Sequence, residues 1–242
     1  MHERLVIIGA KGHGKVVADI AERSGKYQSI VFLDDDETLE ESMGIPVVGK
    51  TSEIVRNASS SDVFVAIGNV EYRNYFMEKL EAIHAKIPVL IHPQAVLGAN
   101  VIIGVGTVVM AGAVINPDVK IGKGCIINTC TSIDHDCAVG DYAHVAVGSH
   151  LAGTVTVGER TWIGAGAIVK NNVCICSDCV IGAGAVVVKN ITKAGTYVGI
   201  PAKEMKMKQG KGDKILRGGG NRHRFIRNFF SVPEFFYVDN VA

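Results

Sequence analysis

The chain has almost no net charge. Its 25 Lys and Arg against 24 Asp and Glu leave +1 at pH 7, so no general basic field exists to hold nucleic acid. No apolar run reaches the roughly 18 residues that a membrane-spanning helix needs, and the N-terminus goes straight into a strand instead of a signal peptide. No membrane partner is expected, and a cytoplasmic protein is predicted. The six cysteines, Cys125, Cys130, Cys137, Cys174, Cys176 and Cys179, lack a second ligand cluster at zinc spacing, even in Cys174-x-Cys176-x-x-Cys179. No metal is expected, and the thiols read as small apolar fillers. Disorder is excluded by a hydrophobic fraction of 48%.

What is present is a period of six. Steps of six from Leu97 land on Ile103, Val109, Ile115, Ile121, Ile127, Ile133, Val139, Val145, Leu151, Val157, Ile163, Val169, Ile175, Ile181 and Val187 without a miss. Many are followed by a small residue, such as Gly98, Gly104, Gly122, Gly140 and Gly158. This is the hexapeptide signature of a β-helix, in which each hexad gives a short strand and a corner and three hexads close a triangular coil. The aliphatics point into the prism. A slip of one residue would turn the whole ladder outward, and each buried aliphatic contributes roughly 1.5–3 kcal/mol toward the correct register.

Ahead of the repeat lies an α/β pattern. Arg4 to Ile8 reads as a buried parallel strand, and Gly9-Ala-Lys-Gly-His-Gly14 leads into an amphipathic helix through Val16, Val17, Ile20 and Ala21. Strand, glycine loop and helix make half of a nucleotide-binding βαβ unit. The spacing is G-x-x-G-x-G, not the dinucleotide G-x-G-x-x-G, and it suits an anion at the helix N-terminus as well as a simple tight turn. Ile30 to Leu33 ends in Asp34-Asp35-Asp36, at the strand end that faces a ligand crevice. Further strands are expected near Gly44 to Gly49, Asp62 to Ile67 and Pro88 to Ile91, with Gly68-Asn69 at a strand tip and helices near Thr51 to Arg56 and Glu71 to His84. The predicted organisation is an α/β domain over 1–90, the β-helix over 91–206, and an extension over 207–242.

In the middle coils Asn128-Thr-Cys-Thr-Ser-Ile-Asp-His-Asp136 replaces small residues with polar ones, and His144 follows nine residues after His135. Both histidines fall on outward or corner positions, expected in the same region of the prism. A histidine beside a carboxylate has its tautomer fixed and its basicity raised, as a general base near neutral pH requires.

Residues 1 to about 205 resemble the bacterial nucleotide-linked amino-sugar N-acetyltransferases of the left-handed β-helix superfamily, close to the bacillosamine-pathway enzyme and the sialic acid O-acetyltransferases. The resemblance is carried by Ile8-Gly-Ala-Lys-Gly-His-Gly14, Phe32-Leu-Asp-Asp35, Ala66-Ile-Gly-Asn69, His135-Asp-Cys-Ala-Val-Gly-Asp-Tyr-Ala-His144, Leu151-Ala-Gly153 and Val198-Gly-Ile-Pro-Ala-Lys203. It implies a Rossmann-like N-terminal domain that holds a nucleotide sugar, a left-handed parallel β-helix, and a homotrimer with acetyl-CoA between neighbouring prisms. By the same resemblance His135 is the base, with Asp136 orienting it where the family often has Glu. Gly9, Lys11, Gly12 and His13 line the phosphates, and Asp34 and Asp35 meet the nucleotide base. Gly68, Asn69 and Asn128 lie on the substrate side, and His144, Gly153, Ala165 and Ala183 line acetyl-CoA.

The activity so implied is acetyl transfer from acetyl-CoA to the amine of a nucleotide-linked 4-amino-4,6-dideoxy sugar, or alternatively to a sugar hydroxyl with the same histidine. A prism-fold zinc carbonic anhydrase fits poorly, because His135, His144 and His150 are spaced by nine and six. A nucleotide sensor without turnover is the remaining alternative. Phe229, Phe230, Phe235, Phe236 and Tyr237 are expected to pack on the prism or on a neighbouring subunit.

Overall fold

From Asn100 to Gly184 every sixth residue adopts a left-handed backbone, with φ between 55° and 70°. These fifteen positions are the corners of the coil, and only six of them are glycine. The others include Asn100, Asp118, Asp136, Asn172 and Asp178, the residue types that tolerate this region best. Between corners run two- or three-residue strands paired in register 18 residues apart, as in Val96↔Val114 and Lys120↔Ala138. They stack into three sheets of six, five and eight strands. In the computed structural model, which describes residues 3–205, these sheets form a left-handed β-helix of about six turns. The expectations for 207–242 lie outside the described residues.

The predicted ladder points inward from Val109 to Val187, each member at most 3% exposed. Leu97, in the first coil, is 37% exposed. A second inward rank stands two residues before each aliphatic and is filled by small side chains, among them Ala113, Cys125, Cys137, Ala143 and Cys179. The cysteines divide accordingly: those three are buried, whereas Cys130 and Cys174 are exposed. The residue after each aliphatic must often be glycine because a Cβ on Gly98 would stand 2.5 Å from the Pro117 nitrogen one coil on, and one on Gly158 2.3 Å from that of Ser177.

The N-terminal sheet is parallel, in the order Ser29–Leu33, Arg4–Ile8, Asp62–Val65. Helices Gly12–Ser24 and Val70–Ala82 cover it, and Glu41–Ser42 with Ile45–Pro46 adds a small antiparallel pair. The strand expected to hand the chain over, Leu90–Ile91, already pairs with Val108–Val109 and is the first rung of the solenoid. Leu90, Val108 and Ile126 project from one prism face into a cluster with Val17, Ala21 and Phe64, so the α/β layer is docked on that face. The eight-stranded sheet ends in a reversal, Lys203–Glu204 running antiparallel to Gly195–Val198. No helix among the described residues is long and apolar enough to cross a membrane.

Candidate functional site

The glycine loop and the helix behind it are in very close contact. A Cβ on Gly14 would lie 2.0 Å from the Gly9 carbonyl oxygen, and Gly9 itself has φ 96°. Helix Gly12–Ser24 begins at Lys11 without a side-chain cap, leaving its first N–H groups for a ligand. In front of it opens a pocket of about 890 Å³ lined by Gly9, Lys11, His13, Asp34, Asp35 and Gly68, together with Thr51 and Tyr72 from facing segments. Both carboxylates at the second strand's end carry internal partners. Asp34 accepts from the Ala10 N–H at 2.8 Å and Asp35 from the Thr51 N–H at 2.9 Å. Lys11 pairs with Asp36 at 3.0 Å. Gly12 is exposed on the first helical turn, and Asn69 caps the second helix by accepting from the Tyr72 N–H at 3.0 Å.

Where pocket and prism meet, Arg73 is 1% exposed. Its guanidinium donates to the carbonyls of Ile67 and Gly68 at the pocket floor (3.0 and 2.8 Å) and to those of Gly124 and Tyr142 on the prism (2.8 and 2.9 Å). Two histidines stand nearby. Burial, then the Arg73 charge, pushes His13 down to about 4 and His144 down to about 3, so both are neutral at physiological pH. His144 stacks on Trp162 with ring centroids 5.3 Å apart and places Nε2 3.2 Å from the Asn128 amide nitrogen. The His13 Nε2 is buried and has no hydrogen-bond partner among the described residues.

His135 behaves oppositely. It is exposed at a corner, its Nδ1 2.8 Å from Asp136 Oδ2, and that bond, followed by the Asp134 charge, raises its pKa. Asp136 is one of the left-handed corner residues, φ 58°, which turns its carboxylate back onto the preceding ring. Asp134 accepts from the His135 N–H at 2.8 Å and from the Asn116 amide at 2.7 Å, fixing the corner. With the Nδ1 proton committed to the carboxylate, Nε2 keeps its lone pair. Gly153, one coil on, leaves room for the ring's other edge: a Cβ there would be 2.8 Å from His135 Cε1 and Nε2. Gly153→Ala is therefore expected to push the ring off Asp136. A histidine titration by NMR should show the His135 pKa falling toward its ordinary value while Tm stays unchanged; an unmoved pKa would refute the contact.

The structure does not bring His135 and His144 together. His144 projects from the face that carries the N-terminal layer, beside Ile126 and Trp162. His135 follows Ser132–Ile133 at the corner joining the other two sheets. Nine residues are half of an 18-residue coil, so the two side chains leave opposite sides of one prism. Asn128, Ala165 and Ala183 belong with His144, at the corner following its sheet, while Gly153 belongs with His135. His150 is elsewhere again, its Nδ1 2.8 Å from Ser132 Oγ. Among the described residues no group of three His, Cys, Asp or Glu side chains is arranged to hold a metal ion. Arg73, Tyr72 and Trp162 were not singled out by sequence; only the spacing of Tyr72, Tyr75 and Lys79 on one helix face hinted at a lining.

Comparison with known proteins matches residues 4–80 to the PglD N-terminal domain and residues 154–189 to the bacterial transferase hexapeptide repeats. UDP-N-acetylbacillosamine N-acetyltransferase of Bacillus subtilis is 34% identical over 114 residues, 45% of this chain. The match spans about half, 52%, of that curated relative. Among solved structures, the acetyltransferase domain of PglB from Neisseria gonorrhoeae in complex with acetyl coenzyme A is 41% identical, with TM-score 0.81 over 85% of this chain and all (100%) of that one. PerB from Caulobacter crescentus, in complex with CoA and GDP-perosamine, is 38% identical with TM-score 0.79 over 84% of this chain and 97% of that one.

Proposed function

The chain belongs to the hexapeptide-repeat sugar N-acetyltransferases that use acetyl-CoA and carry a PglD-type N-terminal domain, and from that premise we propose that it acetylates the amine of a nucleotide-linked 4-amino-4,6-dideoxy sugar with His135 as general base. The observation that carries this reading is the division of labour among three histidines. His13 and His144 are held neutral beside the nucleotide pocket, and His135 alone is made more basic by a carboxylate.

The sugar amine attacks the thioester carbonyl carbon, and His135 Nε2 takes the amine proton as the C–N bond forms. Collapse of the tetrahedral adduct breaks the C–S bond, and the imidazolium returns the proton to the departing thiolate. The products are the N-acetyl sugar and free coenzyme A. Asp136 keeps Nδ1 protonated and orients the ring. Positioning two bound substrates supplies up to about 7–11 kcal/mol in favourable cases, which leaves the base a modest task. Thiol release from acetyl-CoA against UDP-, dTDP- and GDP-linked amino sugars and matching alcohols tests the reading. Turnover only with alcohols would overturn it.

Because His135 and the nucleotide pocket leave opposite sides of one prism, a complete site needs two chains, as a cyclic homotrimer provides. His135→Ala and His144→Ala chains, each impaired alone, should complement when co-expressed with different tags. A mixed cyclic trimer contains one junction at which both histidines are intact, so about one third of wild-type activity is expected. No recovery in purified mixed trimers would place both histidines in the same chain's site.

A further inference from the structure

The nucleotide pocket has a wall with no role assigned so far. Helix Val70–Ala82 turns Tyr72, Tyr75 and Lys79 toward the glycine loop, three residues at i, i+3 and i+7 that share one helix face. Tyr72 and Tyr75 are 61% and 48% exposed. The Lys79 ammonium stands 4.4 Å from the centroid of the Tyr75 ring, and no carboxylate of the described residues pairs with it. Lys11, across the pocket, differs: it is already paired with Asp36 at 3.0 Å.

Resting on the nucleotide-sugar reading above, we infer that Lys79, held in place by the Tyr75 ring, supplies the principal side-chain charge for the substrate's diphosphate. A diphosphate set on the uncapped start of helix Gly12–Ser24 meets partial positive charge and free N–H groups on one side. It still needs a full counter-charge. Lys11 delivers little of one, since its ammonium is shared with Asp36, whereas Lys79 brings an uncommitted one from the opposite wall. The ring beneath it restricts a flexible four-carbon side chain through attraction to the π face, so less freedom is lost when the anion arrives. The Tyr72 ring, one turn nearer the helix start, offers a flat face for the nucleoside.

The test is calorimetric binding of UDP, dTDP and GDP, and of the matching nucleosides, to the full-length protein. Lys79→Met should weaken the best-bound diphosphate about tenfold, the loss of one charge-assisted contact, with the KM for acetyl-CoA unchanged. Tyr75→Leu should lose part of the same affinity. Lys79→Arg and Tyr75→Phe should retain it, because each keeps the cation and the ring. Diphosphate affinity that survives Lys79→Met, or a nucleoside weakened as much as its diphosphate, would overturn the inference while leaving the acetyltransferase reading intact. Wild-type protein that binds no nucleoside diphosphate would remove the nucleotide-sugar assignment and the inference together.

Discussion

Replacing His135 with alanine is expected to lower kcat by roughly 10²–10⁴-fold, the usual worth of a positioned general base, with little change in Tm. The stability should hold because His135 is exposed, with its ring bonded to the equally exposed Asp136 and set beside Gly153. The pH dependence separates a base from a binding residue. His135 works as the neutral imidazole, and its pKa is raised first by the bond to Asp136 and then by the Asp134 charge. The acidic limb of kcat/KM therefore sits above the ordinary histidine value. Asp136→Asn removes the main cause, so the limb should move to lower pH, while kcat falls less than in His135→Ala. Near wild-type turnover by His135→Ala, or a limb that does not move in Asp136→Asn, would show that another group accepts the proton.

A second large effect is expected at Arg73, on stability. Arg73→Met leaves four carbonyls without their donor, those of Gly124 and Tyr142 in buried bonds and those of Ile67 and Gly68 in partly buried ones. A buried acceptor left unsatisfied costs about 1–3 kcal/mol, so the two buried carbonyls together lose several kcal/mol. In a unit of this size that lowers Tm by roughly 10 °C or more. Arg73→Lys should recover little, because an ammonium cannot span the fork that reaches both the pocket floor and the prism. Since Arg73 also depresses His13 and His144, any variant that still folds should titrate His144 at a higher pH, though burial keeps it below the ordinary value. An Arg73→Met protein that melts with the wild type would mean that water takes over the four acceptors.

The solenoid was legible because its inward ladder is aliphatic at every step, and a missed step would have exposed a whole rank. The corners were harder to read. Left-handed residues recur with the same period, but Cys130, Tyr142, Thr154 and Arg160 occupy such corners and carry no turn signature. The glycine loop, the two aspartates and the Gly68 tip could be placed around one pocket from strand-end rules alone. The phase of the histidines could not be read from neighbouring inward positions, because side chains on successive hexads point to different sides. Counted in coils of 18, His135 and His144 fall half a turn apart and Gly153 a full turn from His135. Arg73 was not visible, since a helical arginine reads as surface until carbonyls from separate segments converge on it. Asp34 and Asp35, which the resemblance assigns to the nucleotide base, line the pocket, and that each also accepts from the backbone of a neighbouring loop could not be read from the strand end.

A coil of parallel rungs has no natural length. Its terminal rung offers the same row of N–H and C=O groups as every rung beneath it, so any extended segment of another molecule could continue the stack into a fibre. The reversal at Lys203–Glu204 interrupts that growth on the longest sheet. An antiparallel strand changes the hydrogen-bond spacing a newcomer must match, and the ion pair between Lys193 and Glu204, 2.9 Å, sets charge beside the edge. The short strand after Pro201 thus gives the longest sheet an outer rung whose hydrogen-bond spacing differs from that of every parallel rung beneath it.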